Sequence, residues 1–242
     1  MRKCFLFIAV VYLNNTVAQN VVSDSALRQS AYNNAVHQYF TSIGERALIY
    51  EGAEVLAYQL PSDMHPFFIA SEFSVGSVNA NGVQYKDVNL LYDLVNDKLI
   101  VRHYNTVLKV EQVSEKVDEF QIQSHNFVKL IPDSVSQAVI TNGFYDELYK
   151  GRAVSLYARR QKVPEEQIKD MQVVLRFNER NRYFIKKDGQ YIPVSDRKSV
   201  MRVMSDRKKE MDDFLRRNKI KFKRQPEEAM VRMTAYYDSL NR

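Results

Sequence analysis

Apolar side chains recur at two different spacings along this chain and divide it into three zones. From Leu27 onward, Ala31, Ala35, Val36, Tyr39, Phe40 and Ile43 return every three or four positions. That spacing predicts an amphipathic helix over 24–43. Ser23, Asp24 or Ser25 can cap its start, and Gly44 sits where a helix C-terminus favours a residue free to adopt positive φ.

The second zone, 45–194, alternates short runs rich in Val, Ile, Leu, Phe and Tyr with turn-forming residues. Asn81-Gly82 separates Phe73–Ala80 from Val83–Val88. Asn96-Asp97 separates Leu90–Val95 from Lys98–Tyr104, and Lys150-Gly151 separates Phe144–Tyr149 from Arg152–Arg159. Residues 178–181 separate Gln172–Phe177 from Arg182–Lys187, and Asp188-Gly189 leads on to Gln190–Val194. Such dipeptides suit two-residue hairpins because both central residues take positive φ. Five hairpin signals predict sequential antiparallel pairing. Val88, Leu90, Tyr92 and Leu94 fall on one face, as do Leu99, Val101 and His103 of the next strand. About ten strands in one sheet must curl, split or close. Residues 132–137 read as a loop. Residues 164–170, with Pro164 followed by Glu165 and Glu166, read as a loop with up to one helical turn.

The third zone returns to helical spacing. Val200, Met201, Met204, Met211, Phe214 and Leu215 form one stripe, ending near Arg217. Pro226 opens a second helix whose stripe is Met230, Met233, Tyr237 and Leu240. The expected architecture is therefore α+β. A curved antiparallel sheet, a barrel-like or sandwich-like meander, carries an N-terminal helix and a C-terminal helical hairpin over 198–240. The methionine stripe is read as core.

The first eighteen residues add an address. Met1-Arg2-Lys3 is basic, Phe5–Leu13 is an uncharged run, and Thr16-Val17-Ala18 suits signal peptidase. This is the pattern of a secretory leader cleaved after Ala18. Nine residues of helix rise about 14 Å, too short for roughly 30 Å of bilayer hydrocarbon. Removing 18 of the 242 residues leaves 224, read as one domain over 19–242. The one cysteine, Cys4, leaves with the leader, which excludes disulfides and thiol chemistry from the mature protein. No later apolar run reaches the length of a membrane span.

Charge is uneven. The whole chain carries a net +6, yet residues 196–224 hold twelve basic and five acidic side chains. Arg216, Arg217, Lys219, Lys221, Lys223 and Arg224 form the densest cluster, with Phe222 inside it placed to insert or stack. Such a cluster suits an anionic partner: a lipid or lipopolysaccharide surface, or an acidic protein. Nucleic acid is disfavoured by export and by the lack of a reader motif. The competing reading is a solvated helix face and linker.

Catalytic motifs are missing. His37, His65, His103 and His125 show no metal-ligand spacing, no G-x-S-x-G elbow occurs, and none of the seven glycines builds a phosphate loop. Asp87, Asp93 and Asp97 lie near turns and read as structural. No cofactor or metal is expected.

Several separated segments carry a resemblance. They are the run from Val83 to Val101, Leu48-Ile49-Tyr50-Glu51-Gly52, His65-Pro66-Phe67-Phe68, Asp206-Arg-Lys-Lys-Glu, Asn218-Lys-Ile-Lys-Phe and Tyr236-Tyr237. Together, and in this order, they resemble a functionally uncharacterised family of small secreted or envelope proteins of Bacteroidota bacteria. The resemblance implies a periplasmic or extracellular address and supplies no catalytic residues. The leading expectation is a noncatalytic binding or interaction protein of the envelope. Alternatives are a carrier of lipid or another apolar ligand, and a hydrolase whose site assembles only in the fold.

Overall fold

Most strand-prone runs in the central zone pair with a neighbour in sequence. The computed structural model describes residues 27–32, 34, 35, 38, 48–55, 64–104, 106–169 and 172–241. The expected leader lies outside them. Two units divide the chain, Met1–Gly44 and Glu45–Arg242. In the first, the described residues 27–32, 34, 35 and 38 are helical (α1); the rest of the helix expected over 24–43 lies outside the described residues.

The second unit holds the strands β1 (Gly52–Glu54), β2 (Ser74–Ala80), β3 (Val83–Asp93), β4 (Lys98–Arg102), β5 (Lys109–Gln112), β6 (Val117–Ile122) and β7 (His125–Leu130). They continue with β8 (Gly143–Lys150), β9 (Val154–Arg159), β10 (Lys162–Lys169), β11 (Gln172–Glu179), β12 (Arg182–Lys187) and β13 (Gln190–Val194). Eleven form one open antiparallel sheet in the order β1-β5-β4-β3-β2-β6-β7-β8-β9-β12-β13, and β10 pairs only with β11. The α+β class is as expected. The sheet is a single curled layer, neither a closed barrel nor a two-sheet sandwich.

The curl follows from what one face must bury. Tyr92 on β3 meets Phe144 on β8 at 6.2 Å between ring centroids, although three strands separate β3 from β8 in the sheet. Phe120 and Phe127 fill the space between them, each 4.8–5.0 Å from Tyr92. Aromatic pairs in such tilted contacts contribute roughly 0.5–1.5 kcal/mol beyond area burial. Beyond this cluster the Lys162 N–H donates to Leu94 O at 3.2 Å, drawing the end of β9 towards the end of β3. Gly76 permits the approach of β6, since a Cβ there would collide with Gln121 O and Leu90. Val83–Asp93 is one strand rather than two. Asp87 takes φ 56°, and the register against β2 shifts between Gly76 and Val78, so a bulge absorbs the break that the sequence pattern suggests.

Every residue of β9 is buried, so both of its faces need cover. Val154 and Leu156 pack with Ile185, Val194 and the C-terminal helices. Tyr157 packs with Ile140, Tyr145 and Phe184 on the opposite face.

Two expectations fail. Residues 164–170 are mostly strand, because β10 pairs residue for residue with the strongly β-prone β11. The Arg180 N–H bond to Gln161 O sets the phase of that pairing and leaves Pro164, which lacks an N–H, on the outer edge. Hence Gln172–Phe177 does not pair with Arg182–Lys187; β12 instead lies between β9 and β13.

The C-terminal zone holds three helices, α2 (Arg197–Val203), α3 (Lys208–Arg217) and α4 (Pro226–Ser239), where a hairpin of two was expected. A reciprocal capping box between Asp196 and Ser199 starts α2. Lys187 Nζ ends it, donating to Val203 O at 3.1 Å and to Asp206 Oδ1 at 2.9 Å. The methionine stripe is core as read: Met204, Met211, Met230 and Met233 are fully buried.

Candidate anion-binding site at the turn between α3 and α4

The turn is shaped by its apolar members. Met211 and Leu215 bury one face of α3, and Phe214 stacks on Tyr236 of α4 at 4.1 Å. The end of α3 is a Schellman motif: Ile220 N–H donates to Leu215 O and Lys219 N–H to Arg216 O, each at 3.3 Å. Ile220 and Phe222 pack against the helical core. With those two anchored, the intervening cations face solvent. Phe222, placed in the cluster where it could insert or stack, is partly buried and packs against the helical core.

All six expected cations are exposed. Arg216 pairs with Asp213, and Arg217 Nε donates to Asp213 O at 3.4 Å, so both belong to the last turn of α3. Lys219, Lys221 and Arg224 line a depression of about 170 Å³, closed on the α4 side by Glu228 and Arg232 and walled by Ile220 and Ala229. Lys223 is exposed but outside that lining. Arg232 escapes the sequence reading because it lies on the next helix, beyond the basic run. Its one signal is the four-residue spacing from Glu228, which it approaches to 3.9 Å. Four cations thus surround one carboxylate. The N-terminus of α4 opens at the same depression: its cap residue Gln225 makes no side-chain capping bond. The arrangement can hold an anionic group by charge and by hydrogen bonds from ammonium and guanidinium donors.

Lys219 takes φ 50°, the left-handed conformation usually given to glycine at this position. Its Cβ makes that conformation unfavourable by about 1 kcal/mol. We predict that Lys219→Gly raises the unfolding free energy by about that amount. Urea unfolding measures the effect. A variant that is less stable than the parent would remove this account of Lys219.

The turn is fixed to the sheet through Glu227. Arg160 donates to Glu227 at 2.6 and 2.9 Å and to Asp146 Oδ2 at 2.7 and 3.0 Å. Tyr183 Oη donates to Glu227 at 2.9 Å, and His125 Nδ1 lies 2.8 Å from the same Asp146 oxygen. Burial favours a neutral Glu227, but the Arg160 hydrogen bonds and charge outweigh it and hold the carboxyl below its ordinary value. Burial and then the Glu227 hydrogen bond push the Tyr183 phenol up to about 12.

The other sequence candidates occupy structural positions. Asp93 accepts the backbone N–H groups of Val95 and Asn96 at the β3–β4 turn. Asp97 takes Tyr92 Oη and Arg159 Nη2. His103 lies against Tyr50 at 4.5 Å, and His65 stacks on Phe67. His37 lies outside the described residues. His125 and Asp146 have the contact of a hydrolytic dyad, but that carboxylate oxygen is already engaged by Arg160. Tyr92, Phe120, Phe127 and Phe144 are buried against one another on one face of the sheet. Among the described residues, no three His, Cys, Asp or Glu side chains are grouped to hold a metal ion, and no helix is long and apolar enough to cross a membrane. No family model, curated protein or solved structure matches the chain.

Proposed function

We propose that this chain is an exported, noncatalytic envelope protein that attaches to an anionic lipid surface through the α3–α4 turn. The observation that carries the proposal is the depression where Lys219, Lys221, Arg224 and Arg232 meet a single carboxylate, Glu228. Among the described residues no ion pair engages Lys219, Lys221, Lys223 or Arg224. Their charge is thus available to a partner. The leader-like N-terminus supports the address. Phospholipid and lipopolysaccharide head groups present the same phosphate chemistry to such a site.

Near an anionic bilayer each base contributes on the order of 1 kcal/mol, screened over a Debye length of about 8 Å at physiological salt. Changing Lys219, Lys221, Lys223 and Arg224 together to Gln is expected to abolish sedimentation with anionic vesicles. The unfolding free energy should stay within about 0.5 kcal/mol, since exposed charges contribute little to stability. Parent and variant are compared on phosphatidylglycerol, lipopolysaccharide and phosphatidylcholine vesicles at low and high salt. Equal recovery under every condition would leave the cluster as solvated surface only.

A further inference from the structure

The β10–β11 hairpin forms a two-stranded sheet of its own beside the eleven-stranded one. Its strands pair with each other and with no further strand among the described residues. Eight residues per strand extend about 27 Å. A lone two-stranded hairpin is marginally stable in water, so an arm of this kind gains from a surface to lie on or enter.

The register makes the arm two-faced. Pro164 lies opposite Phe177, Glu166 opposite Leu175, and Ile168 opposite Val173. These pairs share one face because facing residues of antiparallel strands point the same way and alternate along the strand. Glu165 opposite Arg176 and Val163 opposite Asn178 belong to the other. Ile168, near the distal end, is 83% exposed.

The root of the arm is linked to the helix that carries part of the site above. Lys162 begins β10 two residues after Arg160, and Arg160 grips Glu227 at the start of α4, three residues beyond Arg224. One ion pair therefore connects the segment that leads into the arm with the segment that follows the basic turn. A bilayer with anionic head groups complements both turn and arm: cations meet phosphates while the distal Ile168 meets hydrocarbon.

Resting on the surface-attachment reading above, we infer that the β10–β11 arm is an apolar wedge whose distal Ile168 enters the anionic bilayer that the α3–α4 turn binds. Glu166 on the same face limits entry, because a carboxylate resists transfer into hydrocarbon. The proximal Leu175 and Phe177 stay at head-group depth.

The chain contains no tryptophan, so an Ile168→Trp variant carries a single reporter. The expected result is a blue-shifted emission, quenched by brominated acyl chains, on phosphatidylglycerol vesicles and not on phosphatidylcholine vesicles. Ile168→Asp should lower vesicle affinity about tenfold or more, the scale set by burying one aliphatic side chain. Circular dichroism and urea unfolding verify that both variants fold. Unchanged tryptophan emission together with parental affinity of the Ile168→Asp variant, on vesicles that still sediment the parent, would overturn the wedge and leave the basic-turn reading standing. Failure of the parent itself to sediment would overturn both. A vesicle-free dimer abolished by Ile168→Asp would assign the arm to self-association and likewise overturn the wedge.

Discussion

Replacing Arg160 by Met is expected to lower the unfolding free energy by about 3–5 kcal/mol at neutral pH, the scale for removing one partner of a buried ion pair. Asp146 has 1% of its side chain exposed, and its contacts are the Arg160 guanidinium and His125. Glu227 loses two charge-assisted hydrogen bonds in the same step. Methionine keeps much of the volume, so the loss reports charge and not a cavity. The deficit should also depend on pH. In the parent, Glu227 has a folded-state pKa held below its ordinary value, so its contribution is complete above the ordinary carboxylate range and is lost as pH falls through the folded value. In the variant that depression is gone, and burial instead favours the protonated form. The difference between the two proteins should therefore shrink as pH falls from neutral through and below the ordinary carboxylate range. Urea unfolding across that range measures it. A deficit of constant size would mean that the ion pair is not its cause.

Asp238→Ala is expected to cost about 3 kcal/mol. Asp238 is fully buried at the C-terminal end of α4 and fastens the helix to the β8–β9 turn. Its carboxylate accepts Ala153 N–H at 2.8 Å and Tyr149 Oη at 3.1 Å. Each hydrogen bond to a charged group contributes roughly 1.5–3 kcal/mol, and truncation leaves both part-buried donors without this partner. Gly151 permits the contact, because a Cβ there would collide with Asp238 Oδ1 and the Val154 carbonyl. Hydrogen exchange should place the largest loss of protection in α4. A uniform loss across β2–β7 would show that Asp238 serves the whole sheet rather than the helix. The two substitutions probe opposite ends of α4, and only the first lies beside the basic turn.

Local rules account for much of the architecture. Asn81-Gly82 and Asp188-Gly189 close two-residue hairpins with both residues left-handed, because few other residue types tolerate that backbone, whereas the β3–β4 connection spans the four residues 94–97 with Asp97 left-handed. The methionine and aromatic stripe of α3 and α4 faces the core because helical spacing admits no other arrangement of those side chains. The same locality failed at β10. Pro164 with two glutamates is a good helix start, yet the strand opposite, rich in Val, Leu and Phe, draws the segment into a ladder that its own composition disfavours. The break between α2 and α3 likewise depends on Lys187, ten residues before α2 begins, reaching back to its last carbonyl.

The candidate site divides along the same line. Six cations in nine residues are plain in the chain, since charge density needs no fold to be seen. Which of them share a depression was decided by the burial of Ile220 and Phe222, by the Schellman turn at Lys219 and by Arg232 arriving from α4. By itself the sequence determined the element types of most segments, the positions of the tight turns and the sign of the exposed surface, because each depends on residues only a few positions apart. The tertiary structure alone decided the curl that joins β3 to β8, the separate pairing of β10 with β11, and the ion pair of Arg160 with Glu227. Those depend on contacts between residues far apart in the chain, whose energies no local spacing encodes.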